Sequence, residues 1–350
     1  MKLKFPFLYS CLIIALSTFG QTTDWKKNSF LPEKHMVTGD TVKALSKNIM
    51  HVFQDKKGNH WFGSWLSGVY RYDGKNLIHF TTEHGLASNR IDEIKEDEFG
   101  NIYFNSCHST SAITKFNGLA LTILTPIAGL EWKTQPNDIW FIGSYDSEKV
   151  YRFDGTILYE LDIPKPPDFS NHFEIYSIYK DHKDNIWFGT NPLGVCRFNG
   201  TSFDWITEED VTEFRNEGAN GVRSIVQDVN GDFWFNTEFR YSIYDSATIN
   251  SNTFYTRKKS IGGLDGKEDS DLDEYLSITK DNSNNLWMAT YKDGVWKYDE
   301  KNITHYSIQE NEKEILLFSI YKDYQGIIWL GTHENGVWKL EGNVFKRILE

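Results

Sequence analysis

Residues Gly58–Thr81 read GNHWFGSWLSGVYRYDGKNLIHFT, three short aromatic runs separated by the turn pairs GN, SG and DG. The fold is decided by the return of this phrase along the chain. DKKGNHWFGSWLSGVYRYDG from Asp55 comes back as DHKDNIWFGTNPLGVCRFNG from Asp181, DNSNNLWMATYKDGVWKYDE from Asp281 and DYQGIIWLGTHENGVWKLEG from Asp323. Looser copies begin at Asp97, Asn137 and Asp228. Their aromatic anchors are Trp61, Tyr103, Trp140, Trp187, Trp234, Trp287 and Trp329, at a mean spacing of about 45 residues. A period of that length, with several short strands in each unit, is the mark of propeller blades.

The wording of each copy supports the same reading. SIYKD supplies strand A, IWFGT strand B, GVCRF strand C and SFDWI strand D. Strand B is apolar throughout because stacked blades bury both of its faces. The expected architecture is an all-β, seven-bladed β-propeller with four antiparallel strands per blade, over residues 21–350. The Asp that opens each copy is read as the A–B turn, its carboxylate capping backbone N–H groups while Gly or Asn accepts positive φ. Stretches such as DVNGD and DNSNN are oxygen-rich, but they lack the spacing and the closing Glu of a calcium loop. Ser177, Ser224, Ser277 and Ser319 each stand four residues before that Asp. They are expected to be small residues packed near the axis and not nucleophiles, since no base is positioned beside them.

Composition narrows the function. Aromatics make up 15% of the 350 residues, with 12 Trp and 18 Tyr, yet mean hydropathy is −0.51. That combination suits aromatic strands joined by polar turns. Residues 1–20, MKLKFPFLYSCLIIALSTFG, have the layout of a cleaved secretory signal, which predicts a periplasmic or secreted product starting near Gln21. The alternative, lipid attachment at Cys11, fits less well because Tyr9 suits a lipidation box badly. No later stretch is apolar enough to span a bilayer. The net charge of −12 argues against nucleic acid and anionic membranes as partners. Cys107 and Cys196 fall in different repeats and are expected to be free core thiols.

SIYKDHKDNIWFGTNPLGVCRFNG and HFTTEHGLASNRIDEIKEDEFGN resemble two-component regulator propeller repeats. The resemblance extends over nearly all of the chain after residue 20. It implies kinship with the periplasmic sensor regions of hybrid histidine kinases, many of which sense oligosaccharides. Such receptors usually add a second propeller, an immunoglobulin-like module, a membrane span and kinase parts. The expectation here is a propeller alone after residue 20, without kinase activity of its own.

A propeller binds at one mouth of its axial channel, on B–C and D–A loops. The first variable side chains of the B–C loops are Trp65, His108, Tyr145, Asn191, Glu238, Tyr291 and His333, with Arg240 nearby. They differ from blade to blade inside a repeated frame, as a ring facing an asymmetric ligand would. Aromatic faces beside hydrogen-bonding groups suit an oligosaccharide or a peptide. The expectation is a ligand-binding or sensing propeller that acts through an envelope protein partner, with no catalytic residue, metal or cofactor assigned. Two alternatives stand beside it. One is an enzyme similar to the streptogramin lyases, with His108, Glu238, His333 and Glu334 converging on a metal, although no His-x-Glu-x-His spacing is present. The other is a structural docking platform in an envelope complex, with the basic-then-acidic stretch from Phe254 to Tyr275, read as a long D–A connection, as its docking loop. Finally, NSFLPEKHM (residues 28–36) is expected to pair beside NVFKRI (residues 343–348) and close the ring.

Overall fold

Every Trp-containing copy folds as the middle of a small sheet in the computed structural model, which describes residues 37–108, 112–129, 131–144, 147–211, 221–235, 239–244, 254–259 and 275–349. Blade 4 shows the pattern: strand A Glu174–Lys180, B Ile186–Asn191, C Val195–Phe198 and D Phe203–Ile206, hydrogen-bonded in that order. Blades 1, 2, 5, 6 and 7 have the same order. The protein is a seven-bladed β-propeller with almost no helix.

Blades hold together through seven apolar clusters, one at each interface between neighbours. Trp187 and Ile206 of blade 4 meet Phe233 and Tyr241 of blade 5, for example. The seventh cluster sets Ile49, Val52 and Phe62 of blade 1 against Trp329 and Val337 of blade 7 and so closes the ring. Strand B is buried along its whole length in blades 6 and 7, which accounts for its unbroken apolar sequence. Glycine within strand B serves close approach: a Cβ on Gly189 would lie 2.2 Å from the carbonyl oxygen of Val222 in the next blade.

The opening Asp does more than cap a turn. Asp181 accepts from the backbone N–H groups of Lys183 and Asn185, from Asn185 Nδ2, and from the indole Nε1 of Trp187 at 2.8 Å. Asp55, Asp228, Asp281 and Asp323 hold Trp61, Trp234, Trp287 and Trp329 in the same way, at 2.7–3.0 Å. Asp97 holds the hydroxyl of Tyr103 at 2.9 Å. Directly across from each anchor on strand C stands a cation: Arg71, Lys115, Arg152, Arg197, Arg240, Lys297 or Lys339. For five of the six Trp anchors that cation lies 5.1–6.0 Å from the ring centroid.

Blade 3 departs from four antiparallel strands. It has strands B to D (Ile139–Ile142, Lys149–Phe153, Leu158–Asp162), but its fourth strand, Ile127–Ala128, pairs parallel to D on the outer edge. Among the described residues the inner position holds no strand A. Pro136 cannot donate to a ladder there, and Trp132 turns outward to pack on Trp140 and Phe203. Residues 28–36 lie outside the described residues. The outer strand of blade 7 is the chain's own Val344–Ile348, and Asp40–Val42 pairs with strand D of blade 1. Phe254 opens no long connection: Tyr255–Lys259 is strand D of blade 5. Cys107 and Cys196 are buried and unbridged.

Candidate ligand-binding site

The B–C loops gather at one end of the axis because their turns repeat. In blades 4, 6 and 7 a Thr hydroxyl donates to a Gly carbonyl four residues on, as Thr190 does to Gly194 at 2.8 Å. These glycines have positive φ, and a Cβ on Gly194 would lie 2.3 Å from the Ile206 carbonyl oxygen. Glycine is therefore required at this point, and the residues before it are presented at a fixed height. Inside the ring of loops is a cavity of about 860 Å³, the size of a site for a small ligand.

Four of the sequence-expected residues line it: Trp65, His108, Tyr291 and His333. They form one wall with Phe318. Trp65 stacks on Phe318 at 5.7 Å, and His333 and His108 flank the indole at 6.2 and 6.4 Å. Tyr291 lies 6.1 Å from Phe318. Asn191 stands behind the opposite wall, its Nδ2 donating to the Tyr176 hydroxyl at 3.2 Å. Arg240 is not at the mouth. It is the strand-C cation paired across from Trp234, held by Asp228, Asp232 and Glu300 beside the A–B turn. Tyr145 and Glu238 lie outside the described residues.

Sequence reasoning missed strand A itself. In blades 1, 4, 6 and 7 the pairing of A with B slips at Ile49/His51, Ile175/Ser177, Tyr275/Ser277 and Leu317/Ser319. A bulge sets two residues of one strand against one of the other and re-aims the extra side chain. The extra residues, Met50, Tyr176, Leu276 and Phe318, all line the cavity. Arg223 of blade 5 and Asp92 of blade 2 do so from the equivalent place before Ser224 and Glu93. The signal was present: the residue before each axial Ser varies as freely as the B–C loops do.

The second wall is polar. Tyr176 donates its hydroxyl to Glu174 Oε2 at 2.6 Å, and the guanidinium of Arg223 lies 4.1 Å from the Tyr176 ring centroid. Burial and that acceptor raise the Tyr176 pKa, keeping it a neutral donor. On the aromatic side, Arg90 lies 3.9 Å from the centroid of Trp65, with Nε donating to Asp92. Burial and then the charge of Arg90 lower the His108 pKa, against the opposing pull of Asp92.

At the floor the serines link blades, as packing residues with a second use. Ser177 donates to the Val222 carbonyl, while Ser224 and Ser277 accept from the N–H groups of Ile278 and Ile320. Two blades replace this serine, with His51 and Glu93. Glu93 Oε2 accepts from the Ile142 N–H at 2.9 Å and from Asn105 Nδ2 at 2.6 Å. Asn105 also donates to the Ile142 carbonyl at 2.8 Å, and Lys95 donates to the Trp140 carbonyl. Side chains of blade 2 thus satisfy the strand edge that blade 3, lacking strand A, leaves open toward the axis.

His51 is half-buried at that floor, and the desolvation it meets there lowers its pKa to about 4, with Glu93 and Asp92 opposing and Lys95 assisting. The folded value lies below the ordinary histidine value of 6.5, so over that interval the unfolded chain holds the extra proton. This contribution is complete above pH 6.5 and falls as pH drops toward 4. The loss reaches at most about 3 kcal/mol. His51→Ser, the residue of four other blades, should flatten that part of the slope in urea melts at pH 7 and pH 4.5. An unchanged slope in the variant would show that His51 is not its source.

Among the described residues, no three His, Cys, Asp or Glu side chains come close enough together to hold a metal ion. No helix among them is long and apolar enough to cross a membrane.

Residues 168–191, strands A and B of blade 4 with the segment leading into them, match the family model described as two component regulator propeller. No curated protein is similar enough in sequence to count as a relative. Among solved structures, the chain is similar to an extracellular domain from B. thetaiotaomicron described as part of the hybrid two component system BT4673. The TM-score is 0.61 at 20% identity, covering 85% of this chain and 39% of that one. The match to a second such domain, BT3049, has a TM-score of 0.53 at 17% identity and covers 86% and 40%. Virginiamycin B lyase from Staphylococcus aureus matches with a TM-score of 0.62 at 13% identity, over 88% of this chain and 99% of the lyase. At these identities the likeness is one of fold. The chain spans about two fifths of the length of the two-component domains it matches.

Proposed function

We infer that this propeller is an extracytoplasmic binding or sensing module whose ligand, a glycan fragment, sits in the axial mouth and is reported through a partner protein. One observation carries the reading. Side chains free to differ between blades, Trp65, Tyr291, His333, Phe318, Tyr176 and Arg223, converge on one cavity while the frame beneath them repeats. Stacking faces on one wall and fixed donors and acceptors on the other suit a sugar ring, which is apolar on its faces and polar at its edge. The repeat shared with two-component regulators supports the sensing role. The likeness to extracellular domains supports the location.

The test is an array of neutral and acidic oligosaccharides and of peptides, probed with the exported form, expected to start at Gln21, with divalent cations and again with chelator. The double variant Trp65→Ala, Tyr291→Ala removes stacking from both ends of the aromatic wall and leaves the blade cores intact. It should weaken binding at least about 100-fold while its melting temperature stays within about 5 °C of the parent. Binding unchanged in that variant places the site elsewhere. Turnover of a bound compound that stops on His333→Ala and depends on metal would favour the lyase-like alternative.

A further inference from the structure

Resting on that reading of the mouth, we propose that the cavity recognises an acidic sugar, whose carboxylate docks on the terminal nitrogens of Arg90. The side chain of Arg90 is only 12% exposed and lines the cavity. Its plane is fixed by Trp65 beneath it and by Nε, which donates to both oxygens of Asp92 at 2.9 and 3.1 Å. No described residue accepts from its Nη1 or Nη2. An arginine held on one edge and one face, with its other edge turned into a cavity, is preorganised for a planar two-oxygen acceptor.

The acids nearby are already engaged. Asp92 Oδ2 also accepts from the Cys107 N–H at 2.9 Å, so this carboxylate is engaged in orienting Arg90 and in that backbone bond. Glu93 is taken up by Ile142, Asn105 and Lys95. Glu174 accepts from Tyr176. Three basic side chains, Arg90, Lys95 and Arg223, line the cavity with these three acids. Among the described lining residues these cations and acids balance, in a chain of net charge −12, and the terminal nitrogens of Arg90 are cationic donors with no described acceptor. The indole that supports Arg90 belongs to the wall that would stack a sugar ring, so a carboxylate on the ring reaches the guanidinium as the ring meets the aromatics.

The experiment compares matched pairs by calorimetry on the full chain: trigalacturonate with its methyl ester, and a tripeptide acid with its amide. Trigalacturonate should bind, its ester at least 10-fold more weakly, and the affinity for the acid should fall with added salt. Arg90→Lys keeps the charge but not the fork and should cost the acid about 10-fold. Arg90→Gln should cost it more and should close most of the gap between acid and ester. A circular-dichroism melt on each variant separates lost binding from lost fold, with Arg90→Lys as the milder change. Ester and acid binding equally, or binding lost in the Trp65, Tyr291 double variant but unchanged in Arg90→Gln, overturns the carboxylate contact while keeping the mouth as the site. Binding of the tripeptide acid alone overturns the sugar. No binding by any of the four compounds overturns this proposal, and the array then decides whether the mouth binds anything at all.

Discussion

Glu93→Ser should destabilise the protein by about 3–5 kcal/mol, although serine is the residue that blades 4 to 7 carry at the same point. The size follows from what blade 3 lacks. Its strand B faces the axis with an open edge, and the Ile142 N–H on that edge has Glu93 Oε2 as its partner at 2.9 Å. Glu93 is buried, at 8% exposure, and holds Asn105 and Lys95 as well. Serine is too short to reach the neighbouring blade. The variant would leave the Ile142 N–H without its acceptor and take from Asn105 and Lys95 one of the two acceptors each now has. Lost unfolding cooperativity, or a fall in the urea unfolding free energy of this size, is the expected result. A change under about 1 kcal/mol would mean that water replaces the carboxylate at no cost.

Asp181→Ala should cost a similar amount, about 3–4 kcal/mol, by removing four hydrogen bonds and leaving the Trp187 indole N–H buried without a partner. Trp187 has no exposed surface, so solvent cannot take the place of the carboxylate. Asp73 gives the control. It caps the C–D turn of blade 1 with Lys75 and Asn76 in nearly the same geometry, but on the surface and with no Trp attached. Asp73→Ala should shift the melt far less. Equal effects at the two sites would mean that turn capping alone, not the buried Asp–Trp contact, sets the cost.

How much of this could be read in the sequence depends on whether a feature recurs. Trp187 and its counterparts mark the blades because every blade needs a large apolar side chain at that height. The Asp of the A–B turn was legible as a cap, but its bond to the indole was not: the six-residue separation is meaningful only once the hairpin is folded. Arg240 misled for a related reason. Read next to a variable loop it resembled a site residue, whereas its register places it opposite Trp234 with the other strand-C cations. Trp65, His108, Tyr291 and His333, which stand out by their variation within the frame, do line the cavity, and the same rule applied to strand A would have picked out Tyr176, Arg223 and Phe318. The bulge that turns Tyr176 and Phe318 to the axis has no local sequence signature. Pro136, which cannot donate to a ladder, is the one local mark of the irregularity of blade 3. That Glu93, Asn105 and Lys95 stand in for the missing strand could not be read from residues so far from it in the chain.

The account turns on the axial mouth being the binding site. The most direct measurement is a crystal structure of the protein soaked with the tightest compound from the array. The account predicts density for that compound between Trp65 and Tyr176, in contact with Phe318 and Arg90, with the blades unmoved. Density at the A–B turn end, beside Asp181 or Asp323, or on the outer strands of the ring, with the mouth holding only water, would contradict it.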